Sequence, residues 1–267
     1  MESSPRGPFA STVPYYARFR PAYDDHLFTL LGTRFALDGT QRVLDLGAGP
    51  GTLTLPLAAR VREVIAVDPE PDMLAEGRRL ASEAGVGGID WRLGDSGTLL
   101  ALEVGPVLLT VMGASFHWTD RERLLQDLDT LIEPGGAVVL ATCGARHEDL
   151  ALPAWLPAVE EVRNRYLGAN RRPDSGPGAY PAVRHEDVLL RSPFSRIEAV
   201  HWDRTVRRTV DEVVGLQLSF SFTSPAALGP GLPAFEHDLR RALTALRPEG
   251  ELLEERVRTD VVIACRP

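Results

Sequence analysis

From about residue 41 onward, short runs of β-branched and other apolar residues alternate with longer stretches in which apolar side chains recur every three or four positions. The short runs are typical of buried parallel strands, and the longer stretches are typical of the amphipathic helices that connect them. The sequence therefore predicts an α/β fold, a doubly wound and mostly parallel sheet of seven strands. The predicted strands span 42–46, 64–67, 89–93, 106–112, 137–142, roughly 196–206 and roughly 256–264.

Helices are predicted between these strands, over about 51–60, 72–84 and 119–131. The third helix is expected to end at the sequence EPGG, residues 133–136, because proline cannot continue a helix and glycine tolerates the dihedral angles of a chain reversal. Pro56 lies inside the first helix and is expected to kink it. Thr209 and Glu212, three residues apart, form the pattern of a capping box that opens a further helix over 210–220.

Two segments depart from this alternation. Residues 9–35 form a helical lead-in with its own internal turn. Residues 146–193 form an insertion between the fifth and sixth strands, with a helix over 155–167, a loop rich in glycine and proline, and another short helix. Because such an insertion lies at the carboxyl edge of the sheet, where ligands bind in these folds, we interpret it as a lid or substrate cap. We expect residues 1–267 to form a single domain.

The charge balance narrows the classes of partner. The formal net charge is −8 at pH 7, so the field of the protein repels phosphate backbones and anionic lipid surfaces. We therefore predict neither a nucleic-acid nor a membrane partner. The two cysteines, Cys143 and Cys265, have no metal-ligand or disulfide spacing, so the sequence predicts no metal site. No secretion signal or membrane-spanning run is visible, and a cytoplasmic location is expected.

The sequence VLDLGAGPGTLT, residues 43–54, places Gly47, Gly49 and Gly51 at alternate positions between a predicted strand and a predicted helix. Such a loop lets the backbone approach a ligand closely and directs helix amides at it. The dinucleotide fingerprint requires its third glycine at position 52, where this chain has Thr52. The pattern therefore disfavours NAD.

Asp68 ends the second predicted strand, 21 residues after the first of these glycines. A carboxylate at this position can accept hydrogen bonds from both hydroxyls of a ribose, and it would repel a ribose phosphate. Gly94 and Asp95 follow the third predicted strand, where they could take up the exocyclic amine of an adenine while Met73 and Leu74 cover its face. Together these groups predict a nucleoside ligand.

In these motifs the chain resembles the class I S-adenosylmethionine-dependent methyltransferases, closely over residues 14–145 and in outline over 194–267. DLGAGPG is similar to the first motif of the family, VDPEPDML to the second, GDS to the third, and EPGG to the usual LxPGG. The resemblance implies S-adenosylmethionine (SAM) as cofactor and a small molecule as methyl acceptor. It also implies that the glycine loop meets the methionyl half of the cofactor while Asp45 braces the loop.

The resemblance assigns cofactor contacts to two parts of the sequence. Around the predicted strand ends they are Asp45, Gly47, Ala48, Gly49, Gly51, Asp68, Pro69, Met73, Gly94, Asp95, Ser96, Met112 and Gly113. The lead-in YYARFRPAY is similar to the N-terminal helix that small-molecule members fold over the cofactor, and it adds Tyr16 and Arg20. Arg20 could pair with the methionyl carboxylate, and it is explained equally well as a surface arginine at a turn.

Methyl transfer from a sulfonium is an in-line displacement, so the protein mainly aligns donor and acceptor, and a base is needed only when the acceptor must lose a proton. His117 follows the fourth predicted strand, where the family places groups that face the acceptor, and it is the candidate general base. The alternative is that His117 and Trp118 buttress the cofactor loop. Thr119 is predicted to cap the following helix.

The acceptor pocket is predicted to include Trp118, Trp155 and Tyr180. Nothing at 112–115 resembles the (D/N/S)PP(Y/F) loop of enzymes that methylate exocyclic base nitrogens, which further disfavours a DNA substrate. Three other histidines show no metal spacing and are expected to be solvated: His185, His201 and His237.

The leading hypothesis is methylation of a hydroxyl or amine of a small metabolite, as a tailoring step on a natural product or its sugar. Carboxylates in the lead-in and the insertion would suit a cationic acceptor, and they are explained equally well as a solvated face. They are Asp24, Asp25, Glu148, Asp149, Glu160 and Glu161. The alternatives are a cofactor-binding scaffold or regulator without catalysis and, more weakly, an NAD-linked oxidoreductase. The acceptor, the methylated atom and the oligomeric state are left open.

Overall fold

The computed structural model describes residues 9–144, 149–168, 183–246 and 252–267, which divide into two compact units. The sheet unit comprises the described residues of Ala22–Cys143, Tyr180–His201 and Thr259–Pro267, and the helical unit comprises those of Met1–Pro21, Gly144–Ala179 and Trp202–Arg258. Tyr180 and parts of the predicted insertion lie outside the described residues. Two compact units can belong to one domain, so the single domain over 1–267 and the lid role of 146–193 stay predictions.

Seven strands form one sheet. They are β1 (Arg42–Leu46), β2 (Glu63–Asp68), β3 (Ile89–Leu93), β4 (Val107–Gly113), β5 (Ile132–Gly144), β6 (Arg196–Arg208) and β7 (Leu253–Cys265). Their order is β3-β2-β1-β4-β5-β7-β6, and β1 to β5 pair with one another in parallel. The predicted doubly wound, mostly parallel α/β sheet is therefore confirmed. β1 and β3 match their predicted bounds, whereas β5 begins at Ile132, ahead of its predicted start.

The helices largely follow the predicted pattern. They are α1 (Val13–Phe19), α2 (Asp25–Arg34), α3 (Thr54–Ala58), α4 (Pro71–Glu83), α5 (Arg121–Leu131), α6 (Leu156–Leu167), α7 (His185–Leu189), α8 (Val210–Leu218), α9 (Pro225–Leu228) and α10 (Leu232–Thr244). α3 is shorter than its prediction, and its five residues around Pro56 are too few for a kink to be defined. α10 was not predicted at all. No helix in the described parts of the chain is long and apolar enough to span a membrane.

The sequence EPGG lies inside β5, and the prediction that it forms a separate turn before the strand is wrong. The register between β4 and β5 shifts there, between Val107 and Leu109. Gly135 has φ +81°, and a Cβ on Gly136 would overlap the carbonyl oxygen of Leu108. The two glycines therefore let α5 lead directly into an irregular first segment of β5.

The helix caps confirm one prediction and correct another. The capping box of α8 is present: the amide of Glu212 donates to Thr209 Oγ1 at 3.2 Å, and the amide of Thr209 donates to Glu212 Oε2 at 2.7 Å. At α5 the prediction of Thr119 as N-cap is wrong, because Asp120 accepts the hydrogen bond from the third helical amide. The hydroxyl of Thr119 instead donates to the carbonyl of Phe116 at 2.9 Å, within the preceding 3₁₀ turn.

A buried ion pair organises the helical unit. Arg208 Nε donates to Glu255 Oε1 at 2.6 Å, and Arg208 Nη1 donates to the carbonyl of Phe19 at 3.1 Å. A Cβ on Gly215 would overlap the ring of Phe19, so α1 packs closely on α8. Arg208 therefore ties the end of α1 to β6 and to β7, on which Glu255 lies. Trp155, the N-cap residue of α6, is buried in the core of this unit together with Val159 and Val162.

Helix α4 packs closely on β3 because Gly77 has no side chain. A Cβ on Gly77 would overlap the indole ring of Trp91, and Gly77 is buried. Gly32 in α2 also has helical backbone, but no atom lies within 4 Å of its missing Cβ. Substituting alanine at each glycine therefore separates two effects. The steric overlap with Trp91 arises only at Gly77, whereas the gain in helix propensity arises at both positions.

We predict that Gly77→Ala destabilises the protein by about 1–3 kcal/mol, because Trp91 must move away from a well-packed position. Gly32→Ala should stabilise it by up to about 1 kcal/mol, since alanine favours the helix and meets no neighbour. Chemical denaturation followed by far-ultraviolet circular dichroism measures both. Equal effects of the two substitutions would contradict the packing of α4 on Trp91.

Candidate active site

The order of the strands places a topological switch point between β1 and β4. β2 and β3 extend from β1 on one side, and β5 extends from β4 on the other. In doubly wound sheets ligands bind in the crevice outside the carboxyl ends of the strands at such a point. The residues that follow β1, β2, β3 and β4 therefore make up the candidate active site.

The loop after β1 needs glycine at three positions. Gly47, Gly49 and Gly51 have φ angles of +80°, +55° and +89°, a region that residues with a Cβ rarely adopt. The amides of Gly47 and Ala48 donate to the carbonyl of Val67 at 2.8 and 3.0 Å, which fixes the loop to the end of β2. No atom lies within 4 Å of the position that a Cβ on Gly49 would occupy, so open space adjoins the backbone there.

Ser115 holds the same loop from the side of β4. Its hydroxyl donates to the carbonyl of Leu46 at 2.7 Å, and its side chain occupies the space that a Cβ on Gly47 would need. Ser115 follows Ala114, a non-glycine residue with φ +52°. Ser115 was not predicted, because a serine in a loop gives no signal that its partner lies 69 residues away.

Asp45 lies beneath the loop, with its side chain buried. Thr54 Oγ1 donates to Asp45 Oδ2 at 2.6 Å, joining β1 to the start of α3. Burial raises the pKa of Asp45 to about 7; the hydrogen bond from Thr54 opposes this rise, and the nearby Asp68 carboxylate adds to it. This geometry supports the bracing role that the resemblance implies for Asp45.

Asp68 connects the end of β2 to the glycine loop. The amide of Gly49 donates to Asp68 Oδ2 at 2.8 Å, and the amide of Glu70 donates to Asp68 Oδ1 at 2.9 Å. Burial raises the pKa of Asp68, and the two amide hydrogen bonds oppose the rise. Each carboxylate oxygen can accept more than one hydrogen bond, so these two bonds orient the group and leave capacity for ligand hydroxyls.

The third motif forms a tight turn after β3. Asp95 Oδ1 accepts hydrogen bonds from the amides of Gly97 and Thr98, both at 2.9 Å. Gly94 has no room for a Cβ, which would come within 2.8 Å of Leu102, and Ser96 is partly exposed at the turn. Asp95 thus has a structural partner in this turn, and its contact with an adenine stays a prediction.

The remaining strand-end residues differ in exposure. Met73 in α4 is buried, with 3% of its surface exposed, whereas Pro69 is exposed after β2. Met112 is buried at the end of β4, and Gly113 is partly exposed beside it. Met73 therefore packs in the core behind the candidate site, whereas Pro69 and Gly113 are accessible at the carboxyl edge of the sheet.

His117 lies in a cluster of basic and aromatic side chains. Its ring centroid is 6.5 Å from that of His185 and 5.5 Å from that of Trp118. Arg121 Nη1 lies 3.2 Å from His185 Nδ1 and donates to the carbonyl of Val183 at 2.8 Å. Burial, together with the neighbouring His185 and Arg121, lowers the pKa of His117 to about 4. His117 is therefore neutral at pH 7.

The expectation that His185 is solvated is wrong. His185 is half-buried, and its ring packs edge-on against Phe116 at a centroid distance of 5.1 Å. Burial, together with Arg121, lowers the pKa of His185. His201 and His237 are exposed, as expected. Trp118 has 39% of its surface exposed, which leaves it accessible to an acceptor molecule.

Three predicted site residues lie in the helical unit. Arg20 Nη2 donates to the carbonyl of Ser219 at 3.2 Å, and the guanidinium stacks on the rings of Tyr16 and Phe220 at 4.9 and 4.2 Å. Arg20 is therefore a packed residue rather than a solvated surface arginine. Trp155 has 4% of its surface exposed in the core of this unit. Contacts of these residues with cofactor or acceptor stay predictions.

The residues of the sheet unit fit a nucleoside ligand. The loop provides open space at Gly49 and backbone at positive φ, and Asp68 is held at its edge with capacity to accept hydroxyl donors. Within the described ranges, no group of three or more His, Cys, Asp or Glu could hold a metal ion.

Comparison with known proteins agrees with this geometry. A family described as a methyltransferase domain matches residues 43–136. An uncharacterized methyltransferase of Mycobacterium tuberculosis is 31% identical over 220 residues, which are 82% of this chain and 79% of that protein. The chain belongs to the class I S-adenosylmethionine-dependent methyltransferases. SAM is therefore its cofactor, and it supplies an electrophilic methyl group on a sulfonium.

Solved structures share the fold of this methyltransferase. A protein described as a type II methyltransferase from Anaeromyxobacter dehalogenans superposes with a TM-score of 0.64 at 24% identity, over 93% of this chain and 98% of that chain. Coclaurine N-methyltransferase, solved with N-methylheliamine and S-adenosylhomocysteine (SAH), gives 0.51 at 18% identity, over 89% of this chain and 71% of that chain. These likenesses establish the architecture, and they do not transfer an acceptor.

The carboxylates that suggested a cationic acceptor already have partners in the methyltransferase. Asp25, Asp149, Glu160 and Glu161 form ion pairs with Arg60, Arg258, Arg163 and Arg165, at 2.7, 2.8, 3.4 and 3.1 Å. Asp24 caps α2 by accepting from the amide of His26. Glu148 lies outside the described residues. The described carboxylates thus have partners within the protein, and a cationic acceptor stays a prediction.

We predict that Asp45 makes the stability of the methyltransferase fall as the pH rises from 4 to 7. The folded pKa is about 7 and the ordinary value is 3.8, so in this window the folded state keeps a proton that the unfolded chain releases. Asp45→Asn keeps an oxygen for the bond from Thr54 but cannot ionise. Urea denaturation at several pH values should show the variant gaining stability relative to wild type up to pH 7, and a constant difference would contradict this.

Proposed function

We propose that the chain transfers the methyl group of SAM to a hydroxyl or amine of a small metabolite, as a tailoring step on a natural product or its sugar. The observation that carries the proposal is the position of His117. A neutral imidazole follows β4, beside the switch point at which the glycine loop and Asp68 are placed to hold the donor. The negative net charge and the absence of a (D/N/S)PP(Y/F) loop favour a small molecule over nucleic acid.

His117 can take part in this reaction as a proton acceptor. An acceptor hydroxyl must lose a proton as its oxygen attacks the methyl carbon, and an ammonium must lose one before its nitrogen can attack. An uncharged imidazole can take that proton, and it does not repel a cationic donor. Its low pKa makes it a weak base, so most of the rate enhancement would come from alignment of donor and acceptor. In the alternative, His117 and Trp118 support the cofactor loop. Substitution of His117 should then weaken binding of SAM rather than lower kcat.

Other elements of the proposal rest on the sequence. They are a cap formed by residues 146–193, cofactor contacts from Tyr16 and Arg20, acceptor contacts from Trp118, Trp155 and Tyr180, and a cytoplasmic location. A scaffold or regulator without catalysis would bind SAM and SAH but transfer no methyl group. Incubation of a cell extract with the purified protein and deuteromethyl SAM, followed by mass spectrometry, distinguishes the two. The proposed function requires a metabolite that gains three deuterium atoms, and a labelled product should be absent when the protein is omitted.

We predict that Asp68→Asn weakens binding of SAH more than about tenfold, because an amide group cannot accept from both backbone amides and from ligand hydroxyls. Asp127→Asn, a change of the same kind on α5, should leave the affinity within about twofold. Isothermal titration calorimetry measures both. Unchanged affinity of the Asp68 variant would contradict the placement of the nucleoside at this carboxylate.

We predict that His117→Ala lowers kcat about 100-fold or more while the dissociation constant of SAM stays nearly constant, as expected for loss of a general base. In the wild type kcat/KM should stay level as the pH falls from 6 to 5 and decline near pH 4, where His117 becomes protonated. A loss confined to SAM affinity would instead assign His117 a buttressing role. Steady-state kinetics with the labelled acceptor provides these values.

A further inference from the structure

Arg121, the first residue of α5, forms an ion pair with no carboxylate among the residues that the structure describes. Its Nη1 donates to the carbonyl of Val183 at 2.8 Å and lies 3.2 Å from His185 Nδ1. An arginine side chain only donates hydrogen bonds, so His185 Nδ1 is the acceptor in the second contact. Uncharged groups therefore position the Arg121 guanidinium, and its charge is left without a described counter-ion.

The guanidinium keeps one edge for a further partner. Nη1 carries two N–H groups, and the carbonyl of Val183 and His185 Nδ1 account for both of them. Within the described parts of the chain, no acceptor is bound to Nε or Nη2, and Arg121 is partly exposed to solvent. Nε and Nη2 form an edge that can bind the two oxygens of a carboxylate side by side. Arg121 can therefore hold the carboxylate of a ligand.

Arg121 lies beside the candidate base. His185, which accepts from Arg121, stacks on His117 at a centroid distance of 6.5 Å. The positive charge of Arg121 is one of the causes that lower the pKa of His117. An anion bound to the guanidinium would therefore lie within reach of the same imidazole that follows β4.

Acidic side chains close to Arg121 and His185 in sequence are engaged with other arginines. Glu122 pairs with Arg191 at 4.0 Å, and Glu186 pairs with Arg184 at 3.1 Å. These two carboxylates therefore do not neutralise Arg121. An anionic ligand would be attracted to this guanidinium, whereas a cationic ligand would be repelled.

The same cluster exposes apolar surface. Trp118 has 39% and Val183 has 43% of its surface exposed. The ring centroid of Trp118 is 5.5 Å from that of His117, and the carbonyl of Val183 is bound to Arg121. A ligand that fits these surroundings combines an anionic group with an apolar body.

We propose that the methyl acceptor is a hydroxy acid whose carboxylate pairs with Arg121 while its apolar body lies against Trp118. This inference rests on the proposed function and names the class of acceptor. The acceptor hydroxyl gives its proton to His117 as its oxygen bonds to the methyl carbon, and the bond between that carbon and sulfur breaks. A carboxylate is attracted to the guanidinium and to the cationic donor, whereas an ammonium is repelled by both.

The test uses three probes that share one phenol ring: para-hydroxyphenylacetate, the corresponding alcohol and tyramine. Isothermal titration calorimetry with protein saturated with SAH should find the acid bound about tenfold or more tightly than the alcohol or the amine. Arg121→Gln should reduce this preference to less than about twofold, and Arg121→Lys should retain part of it. Equal affinity for the three probes, a preference for tyramine, or no binding of any probe at millimolar concentration would overturn the inference.

Arg123→Gln is the matched control, because Arg123 lies on the same helix and pairs with Asp127 at 3.9 Å. It should leave the preference for the acid unchanged. Arg121→Gln should bind SAH within about twofold of the wild type, which shows that the variant is folded and that its cofactor site is intact. A preference for the acid that survives Arg121→Gln would place the carboxylate elsewhere and contradict the assignment.

The labelled product in the extract experiment gives an independent readout. A deuteromethylated metabolite that carries a carboxylate supports the inference, and one without an acidic group contradicts it. Absence of any labelled product, with the preference for the acid still dependent on Arg121, would contradict the proposed methyl transfer while leaving the anion site supported.

Discussion

Two buried carboxylates hold the loop on which the rest of the active site depends. Asp45 accepts a hydrogen bond from Thr54 beneath the loop, and Asp68 accepts one from the amide of Gly49 within it. Removing carboxylates from water is unfavourable, and the raised pKa values of both groups follow from their burial. Only the folded loop, with glycines at positive φ, brings these donors to the carboxylates. The spaced glycines and the two carboxylates therefore stabilise the same loop together.

The end of β4 contributes shape and an uncharged imidazole. Ser115 fills the space beside Gly47. Burial, with His185 and Arg121 nearby, lowers the pKa of His117, so the imidazole is neutral at pH 7. A site that must admit a sulfonium benefits from this arrangement, since a protonated imidazole at the same place would repel the donor.

Many charged side chains outside the candidate site form ion pairs with close neighbours. Arginines pair with most of the carboxylates that surround the lead-in and α6, so a net charge of −8 describes the average field and not the charge at any one surface. The pairs differ in burial. Arg208 and Glu255 are almost fully buried in the helical unit, and removal of either partner would leave the other charge unpaired, whereas exposed pairs such as Arg165 and Glu161 contribute little to stability.

The sequence by itself determined the elements whose signals are local. The alternation of strands and helices, the glycine loop, the carboxylate at the end of β2 and the capping box of α8 all follow from residues close together in the chain. Helix α10 was not predicted, although its buried apolar residues Phe235, Leu239 and Leu243 recur at intervals of four. Thr119 and Asp120 were both acceptable caps, and only the geometry of the preceding 3₁₀ turn decided between them.

Tertiary structure alone decided which side chains meet at the site. Ser115 and Leu46 are 69 residues apart, so their contact leaves no pattern in a single sequence. The protonation state of His117 was likewise undetermined, because it depends on burial and on His185, which comes from another helix. A local pattern fixes backbone conformation, whereas the pKa of a side chain and its partners depend on every element packed around it.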